Sequence, residues 1–167
     1  MRRLALIGFS GSGKTTLAGM AGGFGLKSAD SDAELERLSG RTIAEMLGSG
    51  DEYSFRKLES EVICGLLVQD FSFLAFGGGV HAAHPVWNEI LRSSVKILYL
   101  RGSFDELLAR AGDRPLFRQL GVERYRDLYE KRLPLYERAA NFTIDVSYKN
   151  LDEIWSEIDT LWRCISK

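Results

Sequence analysis

Near the start of the chain four apolar residues, Leu4-Ala5-Leu6-Ile7, run directly into Gly8-Phe9-Ser10-Gly11-Ser12-Gly13-Lys14-Thr15. Every fixed position of the pattern G-x-x-x-x-G-K-S/T is met, and the pattern lies where a strand should turn into a helix. The glycines let backbone N–H groups curl around a phosphate with no Cβ in the way. A helix over Thr15 to Ala21 would aim its positive N-terminal end at the same anion. Lys14 is placed to reach the β- and γ-phosphates of a nucleoside triphosphate, and Thr15 to offer its hydroxyl to Mg2+. The predicted phosphate contacts are therefore Gly11, Ser12, Gly13, Lys14, Thr15 and Thr16. A ligand-free glycine turn is the competing reading, and the strand before and helix after argue against it.

A chain that opens this way needs a parallel sheet around its first strand, and the rest of the sequence supplies one. Apolar runs at Leu26–Ala29, Phe71–Phe76, Val95–Leu100 and Phe142–Val146 alternate with amphipathic stretches. Phe55, Leu58, Val62 and Leu66 form one helical stripe between about Asp51 and Gln69. Gly40 reads as a helix stop, Thr42 with Glu45 as a capping box, and Ser103 with Glu106 as a further helix start. Pro85 fits the first turn of a helix running to Arg92. Gly112 to Gln119 reads as an interruption before a helix from about Val122 to Ala140, and Leu151 to Ile165 as the last helix. Alternation of this kind predicts an α/β chain whose parallel sheet is covered by helices on both faces. The 167 residues fit one domain.

The strand over Phe71–Phe76 has no aspartate, so the acid that commonly helps hold magnesium must come from elsewhere. Asp30-Ser31-Asp32 follows the second strand, and in an open parallel sheet strand carboxyl ends face the ligand crevice. Asp30 is predicted to orient a magnesium-bound water and Asp32 to hold the hydroxyl that attacks the γ-phosphate. By itself Asp32 reads better as a helix cap, and the phosphate loop beside it turns the reading to function. Gly77-Gly78-Gly79 ends the third strand at the same edge, either as a plain turn or as backbone brought against a ligand.

Charge and cysteine content exclude several other functions. Lys and Arg number 22 against 23 Asp and Glu, so no broad basic face for nucleic acid is expected. Cys64 and Cys164 lie far apart without zinc-ligand spacing, and His81 and His84 have no Cys or carboxylate beside them in sequence to complete a metal site. A loop or capping role is expected for both histidines. Trp87, Trp155 and Trp162 fall on helices as packing residues. No apolar run approaches the roughly 20 residues of a membrane span, so a cytoplasmic protein without membrane partners is expected.

Taken in order, these segments resemble the shikimate kinase family. The resemblance rests on Gly8 to Thr15; Asp30-x-Asp32 with Glu36; Gly40-Arg41-Thr42-Ile43-Ala44-Glu45; Phe55-Arg56-x-x-Glu59; Gly77-Gly78-Gly79; Arg114-Pro115-Leu116; and Arg132-x-Pro134-Leu135-Tyr136. It implies a three-layer P-loop fold with a five-stranded parallel sheet ordered 2-3-1-4-5. It also implies a single kinase domain over 1–167, with a short lid at about 112–119 and substrate-binding helices at about 32–69. The implied reaction moves the γ-phosphate of ATP, with Mg2+, to the 3-hydroxyl of shikimate, on the route to chorismate and aromatic amino acids.

By the same resemblance Lys14, Asp32 and Arg114 are catalytic, and Arg110, Arg114 and Lys149 join the ATP contacts. Asp32, Arg56, Gly77, Gly78, Gly79 and Arg132 would hold shikimate, Arg56 and Arg132 through its carboxylate. Thr15 and Asp30 would hold the metal. Planar guanidinium pairs suit a carboxylate independently of any family. The partners implied are ATP and shikimate acting on a monomer. Asp51, Ala75 and Leu151 depart from the family pattern, which commonly has Gly, a small hydroxyl residue and Pro there, and the 112–114 loop is short. A kinase for another polyol acid such as gluconate, or a nucleotide-binding module without transfer, remains open at this stage.

Overall fold

Strands that are apolar on both faces have to be covered on both sides, and the register of the sheet shows how this chain does it. The computed structural model describes residues 2–112 and 115–165. β1 (Leu4–Ile7) leads into α1 (Lys14–Gly23), and β2 (Ser28–Asp30) into α2 (Ser31–Ser39), α3 (Ile43–Gly48) and α4 (Glu52–Leu67). There follow β3 (Phe73–Ala75), α5 (Trp87–Arg92), β4 (Lys96–Arg101), α6 (Phe104–Ala111), α7 (Pro115–Ala139), β5 (Phe142–Asp145) and α8 (Leu151–Cys164). Among the described residues five strands form one parallel sheet in the order β2-β3-β1-β4-β5, as expected.

Phe73 lies level with Leu4, and Tyr99 level with Ile7. In-register neighbours share a face and successive residues alternate, so Phe73 and Tyr99 point to opposite sides. On one side Phe73 meets Trp155 and Trp162 of α8, with ring centroids 5.7 and 4.7 Å apart. On the other, Tyr99 stacks on Tyr136 of α7 at 5.2 Å. All four residues of β1 are 0% exposed, which explains why none of them is polar. The tryptophans pack as expected: Trp87 and Trp162 are buried, and Trp155 also stacks on Phe24.

Helix ends follow their local chemistry. Gly40 closes α2 in the left-handed region at φ 65, and Thr42 and Glu45 form the expected reciprocal cap on α3. Ser103 precedes α6 but makes no side-chain cap. The second strand sits later than read, because Leu26 and Lys27 lie outside it and Asp30 closes it. The third is shorter than read. The interruption over 112–119 holds at Gly112, which closes α6 at φ 60 and ψ -149, but the chain is helical again from Pro115, with a further break at Gly121, φ 73 and ψ 170. That conformation is confined to glycine, whereas proline suits a first helical turn. No described helix is long and apolar enough to cross a membrane.

Candidate active site

Parallel pairing alone gathers the motifs. Register sets Asp30, the last residue of β2, level with Ala75 of β3, and Ala75 level with Leu6 of β1. The glycine-rich loop, the acid pair and the triple glycine therefore leave the sheet side by side at its carboxyl edge. A cavity of about 400 Å³ opens there, lined by residues 10–16, Asp32, Phe76, Gly78, Arg110 and 149–151 with Ile154. Among the described residues its ionisable lining is Lys14, Arg110 and Lys149 against the carboxylate of Asp32. This is an anion's site.

The loop owes its shape to close packing. Gly11 has φ 87, and a Cβ there would overlap the Leu107 carbonyl of α6. α2, α3, α4 and α8 begin with side-chain caps from Asp30, Thr42, Asp51 and Asn150, but α1 follows Gly13 with none and has no acid in its first turn. Its leading N–H groups are thus suited to a bound phosphate. Lys14 Nζ donates to the carbonyls of Gly8 and Phe9, at 2.8 and 3.1 Å, and to Ser12 Oγ at 3.3 Å. Across the cavity Arg110 donates to the Lys149 carbonyl at 2.9 Å, closing the end beside α8.

Asp30 and Asp32 divide the labour. The helix cap is Asp30, whose Oδ1 accepts from the N–H groups of Asp32 and Ala33. Its Oδ2 accepts from the Thr15 hydroxyl at 2.7 Å. Asp32, released from capping, turns toward the glycine turn. Burial, then the neighbouring Asp30 and Glu59 charges, push its pKa up to about 6 against the partial relief of Lys14. Ser31 between them is buried and accepts from Gly77 N–H at 2.9 Å, fastening the acid pair to the triple glycine.

Two of the three glycines make room for a polar side chain, and the third, Gly78, offers its carbonyl to another. A Cβ on Gly77 would overlap Asp32 Oδ1, one on Gly79 would overlap Arg56 Nη1, and one on Gly78 would lie 4.0 Å from Arg132 Nη1. Arg132 donates to the Gly78 carbonyl at 2.9 Å, and the buried Tyr136 hydroxyl donates to the same oxygen. Asp32, Arg56 and Arg132 thus converge on one turn from α2, α4 and α7, and the triple glycine is more than a plain turn. His81, edge-on to Tyr136, has its pKa lowered to about 4 by burial and then by Arg132, His84 and Arg56. It is neutral at pH 7, so the positive charge here belongs to the arginines. Arg114 lies outside the described residues.

Two residues matter more than the sequence suggested. Glu59 is 3% exposed, on the same α4 face as Phe55 and Val62, and accepts from Arg56 Nη1 at 2.6 Å. Burial would push its carboxyl up, but hydrogen bonds and charge from His84 and Arg56 outweigh that and hold it below the usual range. The signal was an acid inside an apolar stripe, at i+4 from Phe55 and i−3 from Val62. His84 is 5% exposed and reaches Glu59 Oε2 at 2.8 Å. Nothing in its sequence neighbourhood foretold this, because its partner is 25 residues away.

The shikimate kinase family model matches residues 10–161. The chain belongs to the shikimate kinase family. A shikimate kinase of Mycobacterium avium is 36% identical over 153 residues, covering 89% of this chain and 86% of the relative. One from Dictyoglomus turgidum is 34% identical over 168 residues, covering 93% and 94%. The solved shikimate kinase of Acinetobacter baumannii in complex with shikimate is similar over 99% of this chain and 95% of its own, with TM-score 0.87 and 30% identity.

Membership in the shikimate kinases gives the glycine turn a direct test. In Gly79→Ala the new methyl meets the far end of a flexible side chain, so the fold should persist while the Arg56 head is displaced. The expected result is a KM for shikimate raised about tenfold with KM for ATP unchanged, read by steady-state kinetics.

Proposed function

We propose that this chain transfers the γ-phosphate of ATP to the 3-hydroxyl of shikimate, giving shikimate 3-phosphate and ADP on the way to chorismate and the aromatic amino acids. The observation that carries the reading is the convergence of one carboxylate and two guanidinium groups on three consecutive glycines, beside a phosphate-binding loop.

The triphosphate lies along Gly11 to Thr16, gripped by Lys14 and by the backbone N–H groups at the start of α1. Arg110 and Lys149 flank its base. At the other end of the crevice Arg56 and Arg132 take the acceptor carboxylate, and Gly77 to Gly79 give their backbone to the ring. Pinning the acid in this way directs a ring hydroxyl toward Asp32, which accepts its proton as the oxygen attacks the γ-phosphorus and the bond to the β–γ bridging oxygen breaks. Thr15 and Asp30, already joined hydroxyl to carboxylate, fit a hard cation with oxygen ligands. They would hold Mg2+, which neutralises phosphate charge during transfer. Residues about 112–119 serve as the lid, with Arg114 brought to the phosphates on closure and water shut out. The protein works as a cytoplasmic monomer.

A polyol-acid kinase of the gluconate type is the competing assignment, and a nucleotide-binding module without transfer the other. ADP release with ATP, Mg2+ and a panel of shikimate, quinate, gluconate and nucleoside monophosphates tells them apart. The expected outcome is turnover with shikimate far above the background hydrolysis of ATP. Preference for gluconate or a nucleotide would overturn the acceptor, and ATP binding without any acceptor would overturn the enzyme.

A further inference from the structure

We propose that His84 is a positioning residue for Arg56, acting through Glu59 and so setting the affinity for the acceptor's carboxylate; this rests on the reading of Arg56 as a carboxylate clamp. Arg56 has two acids within reach on its own helix. Glu59 Oε2 accepts from Nη1 at 2.6 Å, while the exposed Glu52 stands 3.6 Å from Nη2. Both contacts are made at once, through different nitrogens, with the guanidinium against Gly79; without Glu59 only the exposed Glu52 would be left to hold it. How well the guanidinium stays at Gly79 depends on how firmly the Glu59 carboxylate is held.

His84 holds it. Its Nδ1 accepts from Val86 N–H at 3.2 Å, so that nitrogen carries no proton and the proton sits on Nε2. Nε2–H then donates to Glu59 Oε2 at 2.8 Å, and both side chains are almost wholly out of solvent. The ring is fixed in turn by the hydrogen-bonded turn over residues 81–87, where His84 N–H donates to the His81 carbonyl and Trp87 N–H to that of His84. The backbone that follows Gly79 thereby reaches Arg56 twice, directly at the glycine and indirectly through His84 and Glu59. A rigid segment on one side of the acceptor cleft thus orders a side chain from the other. His84 touches no reacting atom, so its removal should act on binding of shikimate and spare both ATP binding and the transfer step.

Steady-state kinetics of five His84 and Arg56 variants, each checked for folding by thermal melting, test this. His84→Leu should raise KM for shikimate about tenfold, with kcat and KM for ATP within about twofold of the parent. His84→Asn, polar but too short to reach Glu59, should do the same and keeps the test open if the leucine variant does not fold. His84→Gln, which can present an amide N–H near the Nε2 position, should recover most of the affinity. In an Arg56→Ala background His84→Leu should add no further loss, because the residue through which it acts is gone. An unchanged KM for shikimate in both His84→Leu and His84→Asn, or a full additional loss in the Arg56→Ala background, would overturn the proposal. If Arg56→Ala itself left KM for shikimate unchanged, the clamp reading would fall first and this inference with it.

Discussion

Asp32→Asn should slow phosphoryl transfer to shikimate by about a thousandfold, leave ATP binding intact, and raise the melting temperature at pH 7.5. The rate and the stability move in opposite directions for one reason. Asp32 is held against Gly77 with Asp30 and Glu59 nearby, and its pKa rises from 3.8 to about 6. A folded-state value above the unfolded one means that the native protein binds this proton more tightly. The ionised carboxylate therefore opposes folding, by a penalty that grows as pH rises from about 4 to 6 and is complete above that. The displacement of about two units corresponds to ~1–3 kcal/mol. Asparagine has the same shape and no charge to desolvate, so the variant escapes the penalty but cannot take the hydroxyl proton. The melting gain should shrink when the comparison is repeated at pH 5. In the parent, kcat/KM should fall as pH drops through about 6, where the free enzyme's base becomes protonated. Undiminished turnover in Asp32→Asn would remove Asp32 from the chemistry.

Lys14→Met should cost about a further class of interaction, the grip on the phosphates, with kcat down roughly 10²- to 10³-fold and ATP bound more weakly. The Lys14 ammonium already organises its own loop through the Gly8 and Phe9 carbonyls and Ser12 Oγ, at 8% exposure. Methionine matches the length of the stem but offers those oxygens nothing, so the loop loses an organising donor as well as its charge toward the γ-phosphate. Titration with ATP and single-turnover rates separate the two effects. The double signature distinguishes Lys14 from Asp32, whose loss leaves nucleotide affinity alone.

The order of elements, the direction of the sheet and the phosphate loop were legible because each rests on local patterning: apolar runs, glycine spacing and caps such as Thr42 with Glu45. Local rules read Gly112 correctly as a break but carried the interruption too far, since the chain is helical again from Pro115 and breaks once more at Gly121, just before the expected helix start. The site was legible only in its separate pieces. That Gly77 and Gly79 yield space to Asp32 and Arg56, while Gly78 offers its carbonyl to Arg132, follows from tertiary pairing that no short window records. Geometry gives the cap to Asp30 and sets Asp32 against Gly77, a division that two acids in one short turn do not reveal in sequence. Ser31 and His84 were invisible for the same reason, each bonding to a residue more than twenty positions away.

The central claim is spatial: acceptor and triphosphate meet across one turn of glycines, with the acid end of shikimate on Arg56 and Arg132. A crystal structure with shikimate, Mg2+ and a non-hydrolysable ATP analogue measures this directly. The account predicts the carboxylate of shikimate hydrogen-bonded to both guanidinium groups and its 3-hydroxyl on Asp32, facing the γ-phosphate. Shikimate bound with its carboxylate away from both arginines, or with no hydroxyl at Asp32, would contradict it.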